Sequence, residues 1–238
     1  MTLRTALIAA ACACLFSTLS YAQHQAEVNL MGAFPQGEFK DKIDNGFGIT
    51  GGYTYGFGNV SPIRLRVGGD VGYIVYGRET RTEPFSWFIQ DVVVDVETMN
   101  NIVQYGLVAK LSSEEGAIRP YIQGRAGFSY FFTETTIKNQ DDDDGDDEIA
   151  SSKNHSDTTT YASAGAGFLI PIWMQTDASK SKMTVSIDLR FQYVWGNTAQ
   201  YLKKGSIHRD ADTGKVAYDI QESKTDMSSV HVGVAIGF

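Results

Sequence analysis

The chain has 238 residues, with 20 lysines and arginines against 28 aspartates and glutamates and a formal charge of −8 at pH 7. That balance, with no basic stripe along the chain, argues against a nucleic-acid partner. Both cysteines, Cys12 and Cys14, fall within the first 22 residues, so the rest has no disulfide, thiol nucleophile or cysteine metal site.

In chain order, the first feature is a leader. Arg4 precedes an apolar run from Ala6 to Leu19, and Ser20-Tyr21-Ala22 supplies a small-x-small cleavage pattern. This predicts a secretory signal peptide over residues 1–22, with a mature chain from Gln23. The run is too short to span a bilayer as a helix, which takes about 20 apolar residues. Lipidation at Cys12 or Cys14 is the rival reading. Neither cysteine has a leucine three positions before it, and the apolar run continues past both.

Eight segments then alternate apolar and small or polar residues, the period of a half-buried strand. Val28, Leu30 and Phe34 mark a first. Phe47, Ile49, Tyr53, Tyr55 and Phe57 alternate with Gly48, Thr50, Gly52, Thr54 and Gly56. Ile63, Leu65, Val67, Val71, Tyr73 and Val75 oppose Arg64, Arg66 and Asp70. Val103, Tyr105, Leu107, Ala109 and Leu111 oppose Gln104, Gly106 and Lys110. Ile122, Ala126, Phe128, Tyr130 and Phe132 oppose Gln123, Arg125, Gly127 and Ser129. Ala162, Ala164, Ala166, Phe168 and Ile170 mark a sixth, whose register is weak because both faces are small. From Met183 to Trp195 every odd position is apolar, while Asp188, Arg190 and Gln192 take even ones. The last segment puts Val230, Val232, Val234, Ile236 and Phe238 on one face and His231, Gly233, Ala235 and Gly237 on the other.

The connections near residues 58–62, 112–118 and 173–182 are short, and the alternate ones are longer and more polar. Short turns on one side and long loops on the other, with an even strand count, predict a membrane barrel with both termini on the periplasmic side. The expected fold is all-β: an eight-stranded antiparallel up-and-down transmembrane β-barrel, with short periplasmic turns and long extracellular loops. It forms one domain over residues 23–238. Aromatics agree with a bilayer that has two wet interfaces. Phe34, Phe47, Tyr73, Tyr130, Phe132, Tyr161, Tyr193 and Trp195 fall at loop ends, and Phe57, Phe168, Trp173 and Phe238 at turn ends. Alternation at Val92, Val94 and Val96 extends the fourth strand above the membrane. Asn197 to Gly205 reads as one or two helical turns with a glycine stop. The tip Pro84-Phe85-Ser86-Trp87-Phe88 is unusually apolar for a solvated loop.

The strand pattern, leader and terminal Phe238 resemble the small eight-stranded outer-membrane barrels of the OmpX and OmpA transmembrane type. The resemblance covers essentially the whole mature chain and involves no chemical motif. It implies a Gram-negative-type outer membrane and a monomer surrounded by outer-membrane lipid and lipopolysaccharide. It also implies that Phe238 belongs to the signal read by the barrel-assembly machinery. A cell-wall-binding domain after the barrel is not expected, so cell-wall anchoring is not implied.

Candidate sites follow from the inward parity. Glu27, Arg64, Arg66, Asp70, Gln104, Lys110, Gln123, Arg125, Asp188, Arg190 and Gln192 point into the lumen. Eight strands leave an interior just wide enough for side chains, and buried charges must pair. Arg64, Arg66, Asp70, Arg125, Asp188 and Arg190 are therefore expected to form a structural charge network, with a selective ion path as the alternative. Ser229 and His231 share a face, but with no evident acid they form no hydrolytic site. The acidic run Asp141 to Glu148 does not match a calcium loop, since Gln140 and Ser151 would occupy the key end positions. It reads as a solvated loop tip or a weak divalent site bridging lipopolysaccharide phosphates. No catalytic residue, cofactor or metal is expected. The expected role is structural or surface-interacting through the extracellular loops. The alternatives are a narrow porin-like channel and, last, a lipid- or peptide-hydrolysing barrel.

Overall fold

A computed structural model describes residues 24–60, 62–86, 89–139, 148–175, 183–209 and 216–238. The leader, the aspartates of the acidic run and the aromatic side chains of the 84–88 tip lie outside the described residues. The elements in order are β1 (His24–Pro35), α1 (Gly37–Lys40), β2 (Gly46–Val60), β3 (Ile63–Ser86), β4 (Ile89–Ser113), β5 (Arg119–Asn139), β6 (Glu148–Met174) and β7 (Thr184–Gly196). There follow the short strands β8 (Thr198–Tyr201), β9 (Ile207–Arg209), β10 (Val216–Tyr218) and β11 (Gln221–Lys224), and finally β12 (Met227–Gly237).

Eight strands close into one antiparallel barrel in the order β1-β12-β7-β6-β5-β4-β3-β2. Closure joins the two chain ends. Gln25 to Pro35 pairs with Gly237 back to Met227, and His24 and Phe238 exchange backbone hydrogen bonds of 2.7 and 2.8 Å. A closed ladder leaves no sheet edge facing lipid, which is the condition for strands to cross hydrocarbon.

The polarity is the reverse of a soluble barrel's. Val28, Leu30, Phe47, Ile49, Leu65, Val67, Tyr105, Leu107, Phe128, Phe191 and Val232 are exposed on the outer face. Gln25, Glu27, Asn29, Gln104, Lys110, Gln123, Arg125, Asp188, Arg190 and Gln192 are buried on the inner face. Alternation, not mean hydropathy, produces this, because successive side chains of a strand point to opposite faces. Among the described residues no helix is long and apolar enough to cross a membrane, which has no bearing on strands.

A transmembrane strand needs about 9–11 residues. β1, β7 and β12 have 12, 13 and 11, while β3, β4, β5 and β6 have 24, 25, 21 and 27. The four long strands therefore continue above the membrane as a sheet, so their long connections are mostly strand. The register shifts between Val75 and Gly77, where β3 begins its extension, and Tyr76 turns inward there.

Three details differ from the sequence reading. Asn197 to Gly205 forms no helix: Thr198–Tyr201 pairs with Gln221–Lys224, because a cross-strand partner is available to it. The helix lies instead in the first loop, at Gly37–Lys40, held by Phe39, which is 1% exposed. Tyr161 is not an interfacial aromatic. It faces inward, 4% exposed, as the outward parity of Ala162 and Ala164 requires.

Candidate functional site: the occluded lumen and its extracellular cap

The lumen is filled by three polar clusters. At the periplasmic end, Arg64 and Arg66 of β3 meet Glu114 in the β4–β5 turn. The Arg66 Nη2 to Glu114 Oε1 distance is 2.8 Å and the Arg64 Nε distance is 3.8 Å. Further in, Glu27 of β1 is shared by two cations from strands on either side of it. Lys110 Nζ of β4 lies 2.5 Å from its Oε2, and Arg190 Nη1 of β7 lies 2.9 Å from its Oε1. Lys110 also sits 4.6 Å over the Tyr121 ring, and the Tyr121 hydroxyl donates to Asp188. The third cluster is Asp70 of β3 with Arg125 of β5, at 2.6 and 2.8 Å through two guanidinium nitrogens. Two parallel contacts of that kind fix geometry as well as charge.

Amides and hydroxyls fill between them. Gln192 donates to Ser163 at 2.7 Å, Gln123 to Gln192 at 3.3 Å and Gln104 to Ser129 at 3.2 Å. Glycines make room for the larger groups. A Cβ on Gly106 would collide with the Tyr161 hydroxyl and lie 2.9 Å from Asp70 Oδ1. Lys110, Asp188 and Gln192 are each 0% exposed.

Above the charges the lumen turns apolar. Met31, Ile74, Tyr76, Ile102, Phe131, Tyr161, Val194 and Met227 project inward from the wall and pack with Phe39 of α1 and Ala199 and Tyr201 of β8. Phe39 meets Tyr201 edge-on with centroids 5.2 Å apart, and Phe131 at 6.1 Å. Two loops thus insert aromatic rings into the barrel mouth. Polar contacts tie the second loop to the wall: Tyr76 donates to the Leu202 carbonyl at 3.0 Å, Arg81 to that of Ile207 at 3.1 Å, and Gly205 N–H to Glu79 at 2.8 Å.

On the outside of this cap, Lys40, Lys42, Lys203 and Lys204 surround a cleft of about 160 Å³ together with Asp41 and Asp44. Elsewhere in the extracellular part some charges are paired. Glu97 is held by Arg78 and by Lys138 at 3.1 Å. Burial alone would raise its carboxyl, but the hydrogen bonds and charges of Lys138 and Arg78 outweigh that and hold it below the usual range.

The six expected network residues separate into different partnerships. Asp70 with Arg125 is a direct pair. Arg64 and Arg66 share Glu114, Arg190 turns to Glu27, and Asp188 accepts from a tyrosine. Glu27 and Lys110 were inward by parity, but their central position depends on which strands face each other across the bore. The apolar cap did leave a sequence signal. Tyr73-Ile74-Val75-Tyr76 and Tyr130-Phe131-Phe132 are apolar on both faces, so alternation fails at one height.

Ser229 Oγ lies 2.9 Å from His231 Nε2, but the other ring nitrogen faces Arg190 at 3.2 Å. A guanidinium there cannot act as the carboxylate that orients a catalytic imidazole. Among the described residues, no group of three or more histidines and carboxylates could hold a metal.

Inner polarity, outer apolar bands and full closure define the class: a small eight-stranded barrel of the outer-membrane type. The sequence matches no protein-family profile and no curated protein. Among solved structures, the chain is similar to Ail of Yersinia pestis, at 13% identity over 91% of this chain and 99% of that one, with a TM-score of 0.37. It is similar to Neisserial surface protein A at 12% identity over 91% and 95%, with a TM-score of 0.38. The N-terminal barrel domain of Pseudomonas aeruginosa OprF aligns at 14% identity over 92% and 100%, with a TM-score of 0.27. The likeness is one of architecture.

Proposed function

We propose that this protein is a sealed, monomeric outer-membrane barrel that works through its extracellular face, and not as a channel or an enzyme. The observation that carries this reading is that two layers of packed side chains lie in series: the interlocked lumen charges and the aromatic cap above them. A conducting pore needs a continuous wet path, and a dry apolar constriction blocks ions even where polar groups lie below it. The sheet of β3 to β6 above the membrane is then the accessible working surface.

On this reading the leader at residues 1–22 directs export, Phe238 serves the barrel-assembly machinery, and lipid and lipopolysaccharide surround the barrel. The Lys40, Lys42, Lys203 and Lys204 cleft is the contact point for an anionic partner. Four ammonium groups converge there against two carboxylates, on a chain that is acidic overall.

Planar-bilayer recording tests the seal. The protein should show no steady conductance at either polarity, and a resolvable unitary conductance would overturn the reading in favour of a narrow channel. For the surface, cells carrying the protein should retain fluorescent dextran sulfate over neutral dextran. Lys203→Glu with Lys204→Glu should remove most of that difference, and equal retention by both forms would remove the cleft from the proposal.

A further inference from the structure

The outer face carries a concavity that the barrel does not need. A groove of about 600 Å³ crosses β2 to β5, floored by Gly51, Gly69 and Ala126 and rimmed by Tyr53, Val71, Tyr105, Leu107 and Phe128. Gly69 is the middle of the seven outward positions from Ile63 to Val75. Gly51 lies between Ile49 and Tyr53 on β2, and Leu107 is the middle of the five from Val103 to Leu111. The groove therefore lies at mid-height of the lipid-facing band.

Nothing inside the barrel requires these two glycines. A Cβ on Gly51 would meet only the Glu27 carbonyl oxygen at 4.0 Å, and one on Gly69 only that of Gly106 at 3.4 Å, both ordinary contacts. Neither residue has the positive φ that favours glycine. The inner glycines contrast with them: at Gly68, Gly127 and Gly233 a Cβ would strike neighbouring backbone. A lipid-facing strand favours β-branched and other bulky apolar residues, and glycine weakens a strand while covering nothing. Gly51 and Gly69 are diagonal neighbours, opposite Val71 and Tyr53 respectively, so their missing side chains merge into one depression.

We propose that this groove seats one hydrocarbon chain of a lipid from the extracellular leaflet. The depth selects the chemistry, because only hydrocarbon lies at the middle of the band. Every outward side chain around the groove is apolar or a tyrosine. Tyr105, on the extracellular side of Gly69 and opposite Val71, is 54% exposed. Its hydroxyl has no hydrogen-bond partner among the described residues. A phenol in hydrocarbon needs an acceptor, and the ester or amide carbonyl at the head of an acyl chain supplies one. A second copy of the barrel fits less well. Tyr53, Tyr105 and Phe128 stand at the rim and would hold another barrel wall away from the floor, whereas a thin flexible chain passes between them.

The test is electron spin resonance of phosphatidylcholine labelled at a mid-chain carbon, in dimyristoylphosphatidylcholine vesicles containing the refolded barrel. Wild type should immobilise about one more chain per barrel than Gly51→Leu with Gly69→Leu, in which the groove is filled. Val232→Leu, on the lipid face of β12 and outside the groove, should match wild type. Tyr105→Phe keeps the shape and should hold its chain more weakly, with faster exchange. Should the double glycine variant not insert, Ala126→Phe fills the far end and should lose the same chain. Equal numbers of immobilised chains in wild type and filled variants would overturn the proposal. So would cross-linking in the same vesicles that reveals a wild-type dimer abolished by filling, since a second copy would then be the occupant.

Discussion

Glu27 is the residue on which the lumen turns. It compensates both Lys110 and Arg190, and each of those is almost fully buried. Removing one partner of a buried ion pair costs about 3–5 kcal/mol, because the opposite charge remains without compensation. Glu27→Gln should therefore lower unfolding stability in urea by about that amount. Asp188 contrasts with it. Its carboxylate accepts from the Tyr121 hydroxyl, and an amide oxygen can accept in the same way. Asp188→Asn should lose less than about 1.5 kcal/mol, the scale of one net hydrogen bond. Urea midpoints in lipid vesicles measure both, and equal losses would remove Glu27 from its central place. The sequence showed that Glu27 points inward. It could not show that β4 and β7 bring cations to the same carboxylate, because that depends on the curvature of the closed sheet.

At the scale of elements, the extracellular structure consists of two parts with different chemistry. The first is the cap. Phe39 is fully buried between Phe131 and Tyr201, and truncating such a ring costs about 3–5 kcal/mol of local packing. Phe39→Ala should free the first loop, seen as faster hydrogen exchange over residues 36–45 with little change in the barrel strands. The variant should still not conduct, since the charged clusters below remain. Conductance from Phe39→Ala alone would mean that the cap is the single barrier. The second part is the sheet of β3 to β6. Glu97 bridges Arg78 and Lys138 on its outer side, and its carboxyl is held below the usual range. A depressed carboxylate contributes stability above its unfolded pKa of about 4.3, and loses it as pH falls through the folded value. Protease nicking of the extension should therefore rise in strongly acidic buffer, and Glu97→Gln should flatten the response. The effect is expected to stay under about 1 kcal/mol, because the exposed Arg78 and Lys138 side chains let water screen the pairs.

For the whole molecule, closure is the decisive event. The seam joins β1 to β12 along eleven residue pairs. At its periplasmic end the ring of Phe238 stacks on His24 with centroids 5.5 Å apart, and His24 in turn bonds Tyr53. Deleting Phe238, or making it charged, should reduce the heat-modifiable folded form in the outer membrane more than the same change at Phe132. Both rings are partly lipid-facing, but only Phe238 exchanges backbone hydrogen bonds with His24 across the seam, and the proposed function gives it the role of assembly signal. Equal yields from the two variants would count against that role.

The sequence by itself determined the eight barrel strands, the faces of their alternating residues and the reversed polarity, because side-chain direction in a strand depends only on parity. Even the weak sixth segment follows once Phe168 is placed outward. The tertiary structure decided who meets whom. Neighbouring strands in the barrel include the first and last of the chain, and lumen partners on strands that are not neighbours are 55 to 163 residues apart, so no local pattern encodes their pairing. It also decided the loops. Thr198–Tyr201 became a strand because Gln221–Lys224 lay beside it, and Gly37–Lys40 became a helix because Phe39 had a barrel mouth to fill. Short segments have too little intrinsic preference to choose, and the packing available to them chooses instead.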